Sequence, residues 1–410
     1  MTNNFEQLGV IPFFIKKLEE QNISEATDIQ KKVIPSLING KNVFFTSATG
    51  TGKTFAFLLP LLGKIPEDCS TETLLIIAPT LELCTQINNE LEFLLEGTNL
   101  KSSLLIGSVN IERQIENLKK TKPSIIVGNP NRILILLKKR IIKLNNLQFI
   151  VLDEADRLVS DEMISDTSEL FDTIKRIKRD KFPLIAACSA TINNKNKEKL
   201  LAVLAGSDGS IEFIESEDNE ILRDKIEHWA IFSEKRRKDQ ALRSLLSAIK
   251  TKKNKVKALV FLSRGDEADL ILSRLQYHHV KSAGLFGKTG KKPVSGSERK
   301  AALESFRKGS VDVLVSTDLA ARGLDIKGVT HVIALDVPSD SEVYIHRCGR
   351  TARAGKRGIM VTIGDETQMR LLAAMEKKLK IKVQPKELHY GQVCAPLPVS
   401  EDELKIINKK

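Results

Sequence analysis

The sequence predicts two α/β domains in tandem, each a mainly parallel sheet flanked by helices. Three observations lead there. The chain has 410 residues, more than one hydrophobic core usually serves. Short apolar runs alternate with amphipathic stretches along its length, the pattern of strands joined by crossover helices. The alternation breaks once, in the charged stretch ESEDNEILRDK (Glu215–Lys225), and then restarts.

In the first half LLIIAPT, SLLIGS, PSIIVGNP, FIVLDEAD and PLIAACSAT each read as a buried strand ending in a polar turn. LELCTQINNELEFLLEG between them carries apolar residues at three- and four-residue spacing and predicts a helix. In the second half KALVFLS, SAGLFG, VDVLVSTD, THVIALD and GIMVTIG repeat the pattern. The expected boundaries are a first domain over 1–215, a linker over 216–225, a second domain over 226–380 and a short C-terminal appendage over 381–410. The appendage is expected to pack against the second domain.

Composition narrows the class. Apolar residues make up 41% and charged residues 28%, ordinary for a globular chain. No apolar run reaches the ~18 residues a bilayer span needs, and MTNNFEQLGV lacks the basic-then-apolar pattern of a secretion signal. Five scattered cysteines form no CxxC pair, which argues against a disulfide framework or a zinc site. The expected setting is cytoplasmic, with a nuclear or nucleolar one as the alternative, and no membrane partner is expected. Net charge is +12, unevenly spread: residues 1–215 hold 26 Lys+Arg against 27 Asp+Glu, and residues 216–410 hold 38 against 25. A positive excess of that size in the second half points to a polyanion partner.

Ligands of parallel sheets bind beyond the carboxyl ends of the strands, so the polar closures of the apolar runs carry the chemistry. The run NVFFT leads into SATGTGKT and then a helical TFAFLLPLL. That is the strand–loop–helix setting of a phosphate loop. Gly50 and Gly52 let backbone N–H groups approach phosphate oxygens. Lys53 would reach the β and γ phosphates, and Thr54 would hold Mg²⁺. Ser47 stands where such loops usually open with glycine. In FIVLDEAD, Asp153 ends a strand where a Mg²⁺-holding carboxylate belongs, and Glu154 beside it can deprotonate an attacking water.

These elements, with Ser189-Ala190-Thr191 and the run HRCGRTAR from His346 to Arg353, occur in an order that resembles the DEAD-box ATP-dependent RNA helicases of superfamily 2. The resemblance extends from about Phe5 to Lys378. It implies two tandem RecA-like domains, ATP and Mg²⁺ as cofactors, and RNA gripped by its sugar–phosphate backbone. It further implies that Phe5 packs on adenine, Thr27 and Gln30 read the adenine edge, and Thr49, Gly50, Thr51, Gly52, Lys53 and Thr54 hold the phosphates. Asp325 would contact the ribose, while Arg350 and Arg353 would stabilise transition-state charge. Ser189, Thr191 and His346 would couple ATP to RNA. Pro79, Thr80, Glu82, Arg132, Arg299 and Thr317 would line the RNA track. The expected activity is an RNA-stimulated ATPase that locally unwinds or remodels RNA or RNA–protein complexes. The alternative is an ATP-gated RNA clamp or scaffold with weak unwinding. A monomer is expected, with ribonucleoprotein proteins as further candidate partners.

Departures from the family pattern concentrate on the RNA side. Leu81 replaces an arginine in PTLEL, Ser108 a glycine, and NPNR stands for TPGR at Asn129–Arg132. Gly296 replaces a glutamine, and Ala26 and Asp28 replace prolines. The segment GKTGKKPVSGS, holding Lys288, Lys291 and Lys292, is about five residues longer than the family's and is expected as a mobile basic loop. With the charge split, it suggests that RNA grip has shifted toward the second domain.

Overall fold

The computed structural model describes residues 4–47, 50–179, 181–190, 193–205, 210–215, 224–250, 256–286, 288–289, 292–293, 296–321, 326, 328–352 and 357–396. The chain divides into two compact units, and the division falls inside 216–225.

The first unit is built on a seven-stranded sheet: β1 (Asn42–Thr46), β2 (Leu74–Ile77), β3 (Ser102–Leu105), β4 (Ile125–Gly128), β5 (Phe149–Leu152), β6 (Leu184–Ser189) and β7 (Ile211–Glu215). Their spatial order is β3-β4-β2-β5-β6-β1-β7, and every pair is parallel. The apolar runs are continuous because both faces are covered. In β2, Leu74 and Ile76 enter one core cluster with Val127, Val151 and Phe57. Leu75 and Ile77 enter the other with Ile126, Ile150 and Phe171. Alternate side chains of one strand thus serve two cores.

Helices fill the crossovers. LELCTQINNELEFLL forms the helix Leu81–Leu95, with the Thr80 hydroxyl accepting from the Leu83 N–H at 3.2 Å. Removing an orphan N–H in this way is what fixes a helix start. The helix Lys53–Leu62 is buried on all sides beyond its first turn, as expected of a crossover packed between sheet and neighbouring helices.

The second unit holds β8 (Ile226–Phe232), β9 (Ala258–Leu262), β10 (Ser282–Leu285), β11 (Lys288–Thr289), β12 (Lys292–Pro293), β13 (Val313–Thr317), β14 (His331–Ala334), β15 (Gly358–Gly364), β16 (Val383–His389) and β17 (Gln392–Cys394). Eight of them form a sheet ordered β10-β13-β9-β14-β15-β8-β16-β17. Its pairs are parallel except the closing hairpin β16–β17. That hairpin turns on Tyr390 and Gly391, both at positive φ (47° and 74°), the backbone that tight hairpins require.

Two expectations change here. The sheet runs past residue 380, because β16 pairs with β8 from Val383↔His228 to Lys386↔Ile231. An edge as long as β8 invites a covering strand, and the expected appendage supplies it as far as Cys394; residues 397–410 lie outside the described residues. The basic insertion, expected as a loop, contains a short antiparallel ladder with Lys288 opposite Pro293 and Thr289 opposite Lys292. Among the described residues no helix is long and apolar enough to cross a membrane.

Ending the chain after Lys380 should uncover β8. We expect the second unit's melting temperature to fall by about 6–12 °C, the equivalent of about 3 kcal/mol for a unit of this size. Thermal unfolding of the shortened chain followed by circular dichroism checks this; an unchanged midpoint would make β16 dispensable.

Candidate functional site

The topology splits the carboxyl edge of the first sheet in two. Turns after β5, β6 and β1, three neighbouring strands, carry the DEAD, SAT and phosphate-loop residues. Turns after β3, β4 and β2 carry Gly107, Asn129–Arg132 and Pro79–Glu82. Nucleotide candidates and RNA candidates from distant parts of the chain are thereby sorted into adjacent halves of one edge.

The phosphate loop is held by short contacts of its own. Gly50 and Gly52 have φ of 83° and 88°, backbone that favours glycine. A Cβ on Gly52 would also sit 2.4 Å from Gln30 Nε2. That amide donates to the Gly52 carbonyl at 3.0 Å, and Gln30 Oε1 accepts from the Thr27 N–H at 2.9 Å. Gln30 is buried and ties the expected adenine-reading segment directly to the loop. Ser47 is more than a small residue: its hydroxyl meets the Thr51 hydroxyl at 2.6 Å, both side chains buried. The Ser47 carbonyl accepts from Lys53 Nζ at 2.7 Å. Thr54 follows Lys53 in the first turn of the helix, half-buried. Thr49 lies outside the described residues.

Phe5 needs correction. Its side chain has no exposed surface and belongs to the core cluster with Val10, Phe14 and Leu18. With no exposed surface, the ring offers no open face to a base in this conformation.

Asp153 stands one residue beyond β5 and is only 4% exposed. Its Oδ1 accepts from the Glu154 N–H at 2.9 Å and from the Cys188 thiol at 3.1 Å. Burial pushes the Asp153 carboxyl up to about 6, against the opposing pull of Lys53. Burial likewise lowers Lys53, against the acidic groups around it. Glu154 has φ of 51°, left-handed backbone that costs a non-glycine residue about 1–3 kcal/mol. The strain turns the chain sharply at the strand end and leaves the Glu154 side chain half-exposed. Ser189 joins three motifs: its hydroxyl donates to Asp156 Oδ1 at 2.5 Å, and its carbonyl accepts from the Ser47 N–H at 3.1 Å. Thr191 lies outside the described residues.

The residues suit a magnesium ion that arrives with phosphate. Among the described residues Asp153 Oδ2 makes no hydrogen bond, and no cluster of three His, Cys, Asp or Glu could hold a metal unaided. One carboxylate and one hydroxyl with substrate oxygens and water is the usual way Mg²⁺ is held.

On the RNA half, Arg132 is fixed within the unit. Its Nη2 donates to the Gly107 carbonyl at 2.9 Å and its Nη1 to Gln114 Oε1 at 3.3 Å. Asn129, where the family has threonine, accepts from the Arg132 N–H at 3.2 Å and caps the helix Pro130–Lys138. Thr80 caps the helix after β2 and is buried with Pro79, while Glu82 in its first turn is half-buried. Leu81 packs partly buried against the first core cluster, where an arginine would have carried charge.

In the second unit Thr317 ends β13 and is buried. Arg299, on the helix Gly296–Lys308, reaches the Ala320 carbonyl at 3.5 Å. His346 and Arg350 are both buried, and Arg350 Nε donates to the His346 carbonyl at 3.3 Å. Asp325 and Arg353 lie outside the described residues. Sequence reasoning passed over Arg347, the largest fully buried side chain among the described residues. It donates from Nε and Nη2 to both oxygens of Asp318 at 2.6 and 2.7 Å, and to Asp336 Oδ1 at 2.9 Å. A further bond reaches the Asp336 carbonyl at 2.7 Å. Arg347 therefore ties the turn after β13, next to Thr317, to the helix that carries His346. Cys188 was passed over too; within the apolar run LIAACS nothing marks its thiol as the partner of Asp153.

Two outcomes follow from this geometry. Gly52→Ala should displace Gln30 and strain the backbone, weakening nucleotide binding at least tenfold and costing about 1–3 kcal/mol of stability; a fluorescent adenine nucleotide and urea denaturation read the two effects. The raised Asp153 carboxyl takes up a proton in the folded state near pH 6, whereas unfolded it does so near 4. Its contribution to stability therefore rises as pH falls through that window, while Mg²⁺-dependent nucleotide affinity falls. His331, lowered to about 4 by burial, gives the opposite stability trend, so denaturation and nucleotide titrations at pH 7 and pH 5.5 are compared between the unaltered protein and Asp153→Asn, and the difference between the two should carry both trends.

Comparison with known proteins agrees with this site. Residues 27–200 match the DEAD/DEAH box helicase family and residues 237–355 the helicase conserved C-terminal domain. The chain is 35% identical over 394 residues to the DEAD-box ATP-dependent RNA helicase CshC of Bacillus cereus, covering 96% of each chain. It is 33% identical to the DEAD-box ATP-dependent RNA helicase CshA of Bacillus subtilis, covering 93% of this chain and 74% of that one. In fold it matches S. cerevisiae Dbp5 bound to RNA and ADP BeF3, with a TM-score of 0.81, 24% identity, and 100% and 99% of the two chains covered. Two parallel-dominated sheets flanked by helices are the tandem RecA-like architecture of that structure. With both family regions matched in order and a relative aligned from end to end, the chain belongs to the DEAD-box helicase family.

Proposed function

We propose that this protein is an ATP-dependent RNA helicase that binds the RNA sugar–phosphate backbone and locally unwinds or remodels RNA. The observation that carries the reading is the phosphate-loop, DEAD and SAT cluster on β1, β5 and β6, with the Lys53, Asp153, Glu154 and Ser189 side chains all present. The curated relatives' activity supports the same conclusion.

In this reading Gln30 and Thr27 serve the adenine end, and the loop from Gly50 to Thr54 holds the phosphates. Thr54 and Asp153 would hold Mg²⁺, which supplies charge neutralisation at the phosphate oxygens when bound. Glu154, half-exposed on its turn, orients the attacking water and accepts its proton. Arg350 and Arg353 supply guanidinium charge as negative charge develops on the γ-phosphate. The bond from Ser189 to Asp156 and Ser47 transmits a change at the loop to the DEAD turn without a mobile intermediary. RNA contacts fall to Thr80, Glu82, Arg132, Arg299 and Thr317, and recognition by backbone shape makes sequence preference weak. The five free cysteines fit a reducing compartment, and we read the working site as the cytoplasm and the working form as a monomer.

ATP hydrolysis measured with and without single-stranded and duplex RNA tests this. RNA should raise turnover at least tenfold, and Glu154→Gln should lower it by about 10²–10⁴ while leaving ATP-dependent RNA binding in place. RNA-independent turnover in the unaltered protein would sink the coupling.

A further inference from the structure

The near-neutral balance of residues 1–215 conceals a segregated surface. Because every strand pair of the first sheet is parallel, all loops that enter strands gather on the amino edge, opposite the nucleotide cluster. Two of these loops carry the runs KKRIIK (138–143) and KRIKRDK (175–181), which hold nine of the 26 lysines and arginines of this half against one aspartate. The loops enter β5 and β6, which are neighbours. Lys178 Nζ pins one to the other through the Asn145 carbonyl at 2.9 Å.

A cavity of about 390 Å³ opens on this edge between the starts of β5, β6 and β1. Lys64, Lys178 and Lys181 line it together with Asn42 and Gln148, and among the described residues no carboxylate does. Burial lowers Lys64, so one wall holds a cation short of solvent. Among the described residues none of the three lysines forms an ion pair. Helix dipoles favour a cation in the last turn of a crossover helix, which accounts for Lys138 and Lys175. They do not account for Lys143 and Lys181, which lie beyond the helix ends in the entering loops.

We propose that this amino edge is a second RNA-docking surface: Lys64, Lys178 and Lys181 in the cavity, with Lys139, Arg140 and Lys143 of the loop entering β5, take the phosphates of an RNA segment flanking the one held at the carboxyl edge. Strands of four to six residues at ~3.3 Å per residue put the two edges only about 15–20 Å apart, within reach of one strand passing around the unit. Neighbouring strands ~4.8 Å apart spread the cations along a line, which suits a phosphate chain better than a single anion. The inference rests on the proposed RNA substrate.

The test combines Lys139→Glu, Lys143→Glu and Lys181→Glu, side chains with no hydrogen bond or ion pair among the described residues. Binding in the presence of a non-hydrolysable ATP analogue is measured against salt for an oligo-uridine of about 8 nucleotides, the size of a single groove, and one of about 30. The longer RNA should bind at least fivefold more weakly to the variant, with a log–log salt slope flatter by about two, as three lost phosphate contacts require. The shorter RNA should bind as before, and RNA-free ATP hydrolysis should be unchanged. If the triple Glu variant unfolds at a lower temperature, the Gln triple replaces it, with the same direction expected. Equal affinity and slope for the longer RNA would overturn the proposal. So would equal weakening of both lengths, which marks a general field effect, or capture of an acidic peptide with RNA binding intact. If the unaltered protein binds neither RNA, the substrate reading falls first.

Discussion

Charge buried at the end of a parallel sheet is the constraint on which the rest depends. In the first unit that charge is Asp153, and in the second it is Arg347. Neither can sit in a dry interior without partners. Asp153 has the Glu154 N–H, the Cys188 thiol and the nearby Lys53, and these still leave its carboxyl raised. Arg347 has two aspartates, a carbonyl and the Ser263 hydroxyl, a set that satisfies its donors. One site thus keeps an unmet demand for positive charge, which suits a place where a metal ion and phosphates come and go. The other is closed and serves as a fixed frame for the motifs on either side of it.

The same contrast explains how the motifs are coupled. Ser189 touches the phosphate loop through its carbonyl and the DEAD turn through its hydroxyl. Gln30 touches the loop through the Gly52 carbonyl. A shift of the loop on filling with nucleotide would be felt at both places, because each contact is a single direct hydrogen bond with at least one buried partner, where a broken bond is costly. The unusual Ser47 belongs to this network. Its bond to Thr51 closes the loop across its own mouth, which the glycine found in most phosphate loops cannot do. Asn129 likewise takes over a capping bond rather than leaving one unmade. Leu81 is different in kind: an arginine's place is given to a side chain that packs on the core, so a cation leaves the RNA half of the edge.

How the sequence was legible follows from these particulars. The strands could be read because LLII, IIVG and FIVL are buried on both faces and so apolar throughout. The phosphate loop and Asp153 could be read because their chemistry needs fixed residue types at strand ends. Phe5 could not be placed, since an aromatic residue near the start of a chain looks the same whether it stacks on a base or fills a core. The strand Val383–His389 was hidden for a related reason: VQPKELH is polar and holds a proline, and only the open edge of β8 makes it a strand. Net charge is silent on placement, because a sum over 215 residues cannot show which edge the lysines share.

By itself the sequence determined the two α/β units, the order of the motifs and the identity of the groups that meet phosphate and water, because apolar runs and reactive side chains are local properties. Tertiary structure decided which side chains share a space. It alone set Cys188 against Asp153, made Arg347 rather than a neighbouring arginine the buried anchor, and divided the carboxyl edge into two halves. It also gathered the lysines of two successive entering loops, with Lys64, onto the opposite edge. The physical reason is that strand order, β3-β4-β2-β5-β6-β1-β7, differs from chain order, so neighbours in space are set by how crossovers pack and not by where residues stand in the sequence.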